Sequence, residues 1–230
     1  ELDMSKDPGA GPYECPYRWR PMSFEVDGKE YVHERATATQ QTGFTFVSQS
    51  RSWLPDAVGG ILWFGVDDAA STVYFPMYSC STRVPHAYAV GNGSMMEFTN
   101  KAAFWVFNQV TNFAYTRYNL IHPEIRAKQV ALEKQYVNFV QMIDAGAKEM
   151  LAQDKESAIK FITDFSCRTG NHLVDTWRDF YGYLFCKFMD GNVKIAIPGE
   201  KNPKVEQPTL PEWYLRMIIE QTGKKLEVVE

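Results

Sequence analysis

Residues 42–78 read TGFTFVSQSRSWLPDAVGGILWFGVDDAASTVYFPMY and carry three strand patterns in succession. Over residues 42–51 polarity alternates, with Phe44 and Phe46 on one face and Thr45, Val47 and Gln49 on the other, the period-2 signature of a strand. Residues 59–66, GGILWFGV, form a short continuous apolar run, which predicts a strand buried on both faces. Residues 72–78 are rich in β-branched and aromatic side chains, with Pro76 near the end, the composition of a third strand. Arg51 and the pair Asp67–Asp68 fall between these strands. An arginine and two adjacent acids at the ends of a buried sheet mark the place to look for chemistry.

The whole chain has 230 residues, 45% hydrophobic and 23% charged, enough apolar material for one large domain or two small ones and no signature of disorder. Its net charge of −4 comes from 24 basic and 28 acidic side chains without long runs of one sign. That argues against a nucleic-acid partner, which needs a basic face. Aromatics reach 14%, read as a core of large side chains more than as a stacking surface. No apolar run approaches the roughly 20 residues that span a bilayer. The first residue is Glu1, which predicts a processed chain or a fragment and leaves the compartment open between a bacterial cytoplasm and export. Cys15, Cys80, Cys167 and Cys186 are widely spaced, with no CxxC pair. A zinc site is therefore not expected, and each cysteine is read as a small buried hydrophobe.

Residues 1–23 are punctuated by six prolines and glycines and read as an extended lead-in whose aromatics pack down on the body. Residues 24–38 form a hairpin around Asp27–Gly28. The sheet region as a whole spans residues 24–98, and residues 99–230 form a mainly helical region packed on it. Thr99 is the expected cap of a helix running to residue 119. Pro123 suits the first turn of the next helix, which runs to residue 153 with a stripe of Ile125, Leu132, Tyr136, Phe139, Ile143 and Met150. A third helix starts near Glu156, is interrupted near Gly170 and resumes through Trp177 and Phe188. Residues 192–197 are a short strand, residues 201–208 a loop, and Pro211 opens a last helix to residue 222.

Motif-borne chemistry is sparse. No HExxH, GxSxG or P-loop occurs, and His33, His86, His122 and His172 lack metal-ligand spacing. No cofactor is expected. Cys80, six residues before His86, is a weak candidate nucleophile. Asp67 and Asp68 form an acid pair or a turn, and the turn is favoured because neighbours in extended chain point apart. Asn108 and Asn112 share a helix face and either satisfy buried groups or touch substrate. Arg51, at a strand end beside a buried sheet, either anchors a carboxylate or polarises a nucleophile's surroundings, or it caps the sheet.

Several blocks in order, YRWRPM (17–22), ERATATQQTGFTFVSQSR (34–51), LPDAVGGILWFGVDDAASTVYFPMY (54–78), AFWVFNQVTN (103–112), WRDF (177–180) and FMDGN (188–192), resemble the C-terminal half of the PepD-type dipeptidases. The resemblance implies an α+β fold, part of an αββα N-terminal-nucleophile-hydrolase sandwich in which antiparallel strands precede long helices. It implies a cysteine, exposed as a first residue by processing, that attacks the peptide carbonyl while its α-amino group acts as base. That cysteine would lie outside this chain, in an N-terminal half that is its missing partner. Arg51, in SQSR, looks like the supporting arginine that follows a serine at a strand end in the penicillin-acylase and bile-salt-hydrolase branch. Arg35 is the runner-up, and Asp67 or Asp68 would line the same mouth and bind the dipeptide substrate. A cut sheet also predicts a homo-oligomer. The alternative is a non-catalytic binding or structural domain with the same fold.

Overall fold

The structure, a computed structural model, describes residues 3–228. It is α+β: antiparallel sheets followed by long helices. The lead-in holds one short 3-10 turn, and Tyr17 and Arg18 are its buried anchors. A hairpin follows, β1 (Ser23–Val26) and β2 (Lys29–Val32). Asp27 and Gly28 both take positive φ, 53° and 73°, as the two-residue turn that matches strand twist requires. The cross-strand partners Phe24 and Tyr31 stack at 5.5 Å.

The organising sheet is β3 (Phe44–Ser50), β4 (Gly60–Val66) and β5 (Phe75–Tyr78), antiparallel, in that spatial order. A four-residue helix, α1 (Asp56–Gly59), turns the chain between β3 and β4. The register pairs Phe46 with Phe64 and Phe64 with Phe75 on one face. Gln49, Ile61 and Tyr78 line up on the other. Ile61, Gly65 and Val66 are buried, but Leu62, Trp63 and Phe64 are only half-buried. The double burial expected for β4 is thus incomplete, because its neighbour β3 is a solvent-facing edge: Phe44, Phe46 and Val47 are 61%, 52% and 56% exposed.

Three helices cover the rest: α2 (Ala103–Tyr115), α3 (Tyr118–Leu151) and α4 (Lys155–Phe188). The main core joins Val66, Val73 and Phe75 of the sheet region to Phe107, Ile121, Ile125, Leu173, Trp177 and Leu184, with Phe107 stacked on Trp177 at 5.0 Å. A second cluster joins Val58, Ile61 and Tyr78 to Val140, Ala147 and Ile162. The buried seam of α3 therefore uses Val140 and Ala147, while Phe139 points to solvent. Asp154 caps α4, accepting from Glu156 N at 2.9 Å.

Four boundaries differ from expectation. The first helix starts at Ala103, after Thr99. Pro123 lies inside α3, which begins five residues earlier, so it does not open the helix but gives up one i→i−4 backbone bond in its second turn. Residues 204–206 form a strand, β7 (Lys204–Glu206), paired with β6 (Val193–Ile195). Helix α5 (Glu212–Thr222) then falls where Pro211 places it.

The fourth difference is Gly170, which sits inside an unbroken α4. A Cβ there would lie 2.6 Å from Pro85 Cγ and 2.8 Å from the Phe75 ring, so glycine allows close packing where it was expected to end a helix. In the same helix Gly182 has nothing within 4 Å of a Cβ position. Gly182→Ala should therefore raise stability by about 0.5–1 kcal/mol through helix propensity. Gly170→Ala should lower it by about 1–3 kcal/mol through overpacking. Urea unfolding of the two variants tests this, and shifts of the same sign would refute the close-packing account.

Candidate active-site region

Arg51 follows β3 directly and is buried. Its backbone N–H donates to Gly59 O at 2.9 Å. Nε donates to Gly59 O at 3.4 Å and Nη2 to Val58 O at 2.5 Å, so the side chain caps the α1 turn. Nη1 and Nη2 also form a two-pronged ion pair with Asp144 of α3, the Nη2–Oδ1 arm at 3.2 Å. Tyr78 of β5 donates its hydroxyl to Asp144 Oδ1 at 2.7 Å, and the guanidinium lies 5.9 Å from the Tyr78 ring centroid. Burial first, and then the adjacent Asp144 carboxylate, push the Tyr78 phenol far up, so it stays a donor. Beside this cluster runs a groove of about 570 Å³ between sheet and α3, lined by Gln49, Trp53, Trp63, Val140, Gln141 and Asp144 among others.

Asp67 and Asp68 stand at the opposite end of β4 from Arg51, roughly 25 Å away by strand rise. The three residues do not share a mouth. Both acids are buried and form a turn: Asp67 has φ 68°, and Asp68 O accepts from Ser71 N and Thr72 N at 3.0 and 2.9 Å. Asp67 accepts from Asn108 Nδ2 at 2.8 Å and from the Thr111 hydroxyl. Asp68 accepts from the hydroxyls of Tyr17 at 3.0 Å and Tyr115 at 2.9 Å, and from Ala70 N at 3.0 Å. Their oxygens are thus occupied by neutral donors of the chain itself. The pair ties the lead-in to α2 and leaves little capacity for a substrate. Asn108 belongs to this network, and Asn112 turns back to Asn108 O at 2.9 Å.

Arg35 is exposed in the irregular segment between β2 and β3. The crevice beside it, about 10 Å³, has room for about one water. Cys80 donates its S–H to Ala57 O, and burial raises its thiol, the reverse of an activated nucleophile. Burial raises Cys15 and Cys167 as well. Of the four, only Cys167 is fully buried and Cys186 is exposed, so the expectation of four buried thiols is corrected. Among the described residues no three His, Cys, Asp or Glu side chains gather as metal ligands would.

Sequence reasoning missed Asp144. Its signal was present: the residue falls in register with Tyr136, Val140 and Ala147 on the buried face of α3, where a carboxylate calls for a cation.

Against these elements stands one family match. A model described as peptidase family C69 covers residues 2–131. That span holds β1 to β5, α1, α2 and the start of α3, with Arg35, Arg51, Asp67 and Asp68. Asp144 and the later blocks 177–180 and 188–192 lie beyond it. No curated protein matches the chain.

Burial raises the Asp67 carboxyl to about 6. Because this lies above the unfolded value, the folded chain holds the proton more tightly. The resulting stabilisation is complete below about pH 4 and is lost as pH rises through about 6. Asp67→Asn carries no charge, tolerates the positive φ and can still bond Asn108 and Thr111. Between pH 4 and 7 its unfolding free energy should gain on the wild type by on the order of 1–3 kcal/mol. A constant difference across that range would exclude Asp67 as the titrating group.

Proposed function

The chain belongs to peptidase family C69, and from that premise we propose that it is the C-terminal portion of a dipeptidase whose nucleophile is an N-terminal cysteine outside these 230 residues. The family makes it a peptidase of the cysteine type. The single observation that carries the finer reading is the one-sided sheet. Helices close it along β5, while β3 presents Phe44, Phe46 and Val47 to solvent with no second neighbour among the described residues. An open, apolar strand edge is a surface that calls for a further sheet, as in half of an αββα sandwich.

In the complete enzyme the cysteine thiol passes its proton to its own α-amino group as the sulfur attacks the dipeptide carbonyl. The amine of the second residue leaves with that proton, and water hydrolyses the thioester. Arg51 is the supporting residue, held at the end of β3 next to where a paired sheet would dock. Arg35 is exposed and suits a contact to the dipeptide carboxylate. The burial of Asp67 and Asp68 favours an architectural role over a substrate contact. A homo-oligomer joined through β3 is part of the same reading when the further sheet is absent.

A non-catalytic domain is the second reading. It is favoured by one observation, that most Arg51 donors are spent inside the fold. Arg51→Ala in the complete enzyme decides between them. A loss of about 10²-fold or more in kcat/KM, with the fold retained by circular dichroism, supports the supporting role. Unchanged turnover moves the assignment to the second reading. The open edge has its own test. In sedimentation the 230-residue chain should self-associate, and Phe46→Lys should weaken that association. A monodisperse monomer would remove the support the sheet gives.

A further inference from the structure

We propose that Asp144 is the positioning residue that sets the Arg51 guanidinium, with Tyr78 fixing Asp144 in turn. The proposal rests on the reading of Arg51 as the supporting residue. Three elements meet at this point: Arg51 at the end of β3, Tyr78 on β5 and Asp144 on α3. Both oxygens of Asp144 face the two terminal nitrogens of Arg51, the fork-to-fork arrangement that fixes orientation as well as distance. The side chains are 6% and 13% exposed, so solvent does not compete strongly for them. Tyr78 then adds a hydroxyl to Oδ1 at 2.7 Å and its ring lies beside the guanidinium.

The remaining Arg51 donors go to the carbonyls of Val58 and Gly59. Nε and Nη2 are committed, and one N–H of Nη1 is left over once the Asp144 bond is made. Asp144 thus does two things. It leaves Arg51 a single direction in which to donate, and it cancels the arginine's charge where the pair lines the groove. Arg51 then acts as an oriented donor and does not act as a general attractor of anions. A serine or alanine at position 144 would leave the guanidinium without a fixed direction in which to donate.

The experiment is a kinetic cycle in the complete enzyme with Arg51→Ala, Asp144→Ala and the double variant, each checked by thermal unfolding. Asp144→Ala should lower kcat about 10²-fold and leave KM little changed, since orientation and not substrate affinity is lost. The double variant should be no slower than Arg51→Ala alone, because the two act as a unit. Asp144→Asn keeps one acceptor and the shape, and should recover part of the loss. If Asp144→Ala does not fold, Asp144→Asn decides alone: a fall in kcat at constant KM supports the proposal, and wild-type kcat overturns it. Arg51→Ala that loses turnover while Asp144→Ala keeps it overturns the proposal and spares the underlying reading. Arg51→Ala with wild-type turnover removes that reading, and the proposal with it.

Discussion

The backbone along β5 has to be satisfied without a fourth strand, and that requirement places the two long helices. Polar side chains of α3 and α4 take the part of the absent neighbour. Glu133 accepts from Tyr74 N at 3.1 Å, and Gln129 donates to Thr72 O at 2.5 Å. Ser166 accepts from Tyr78 N at 3.2 Å, Thr163 from Thr82 N at 3.2 Å and Asn171 from Ala87 N at 3.1 Å. Pro76, in the middle of β5, has no N–H to satisfy. A buried backbone group left alone would cost on the order of 1–3 kcal/mol, so these contacts decide which way each helix turns its polar residues. They also bring α4 close enough to Phe75 that position 170 must be glycine.

Closing one side of the sheet fixes the asymmetry of the rest. Beyond β3 the described residues supply no cover, and large apolar side chains stay exposed along it, on β1 and β2, and on α5, where no residue is buried. No helix among the described residues is long and apolar enough to cross a membrane. The far end of β4 is closed by other means. There two adjacent carboxylates are buried among tyrosine, threonine and asparagine donors. Such a pair is held by hydrogen bonds alone, unlike Arg51–Asp144, where charge meets charge.

Much of this was legible from residue order. The three strands of 42–78, the Asp27–Gly28 hairpin and α5 announce themselves by local chemistry: alternation, a turn pair, a proline before an amphipathic run. The failures share one physical cause, that the sequence does not state what lies across the gap. Gly170 reads as a break until Phe75 and Pro85 are seen against it. Leu62, Trp63 and Phe64 read as core until β3 proves to be an edge. Asp67 and Asp68 read as a turn, which they form, but the donors that hold them come from residues 17, 108, 111 and 115. Arg51 was legible as a strand-end arginine, yet Asp144 lies 93 positions along the chain, and only its place on an apolar helix face hinted at a partner.

Arg51 had two readings, an anchor for a carboxylate or a cap for the sheet, and the structure shows why these are not independent. A guanidinium that caps α1 and pairs with Asp144 has given up its net charge. A second carboxylate would have to displace Asp144 and leave that acid buried and unpaired, which costs several kcal/mol. Capping therefore argues against anchoring. What survives capping is direction: a rigid donor at the end of a strand, where small errors of placement matter more to a rate than to an affinity. In the proposed reading, recognition of a substrate's charge is left to a cation that still faces water, the place given there to Arg35, exposed on the segment just before β3.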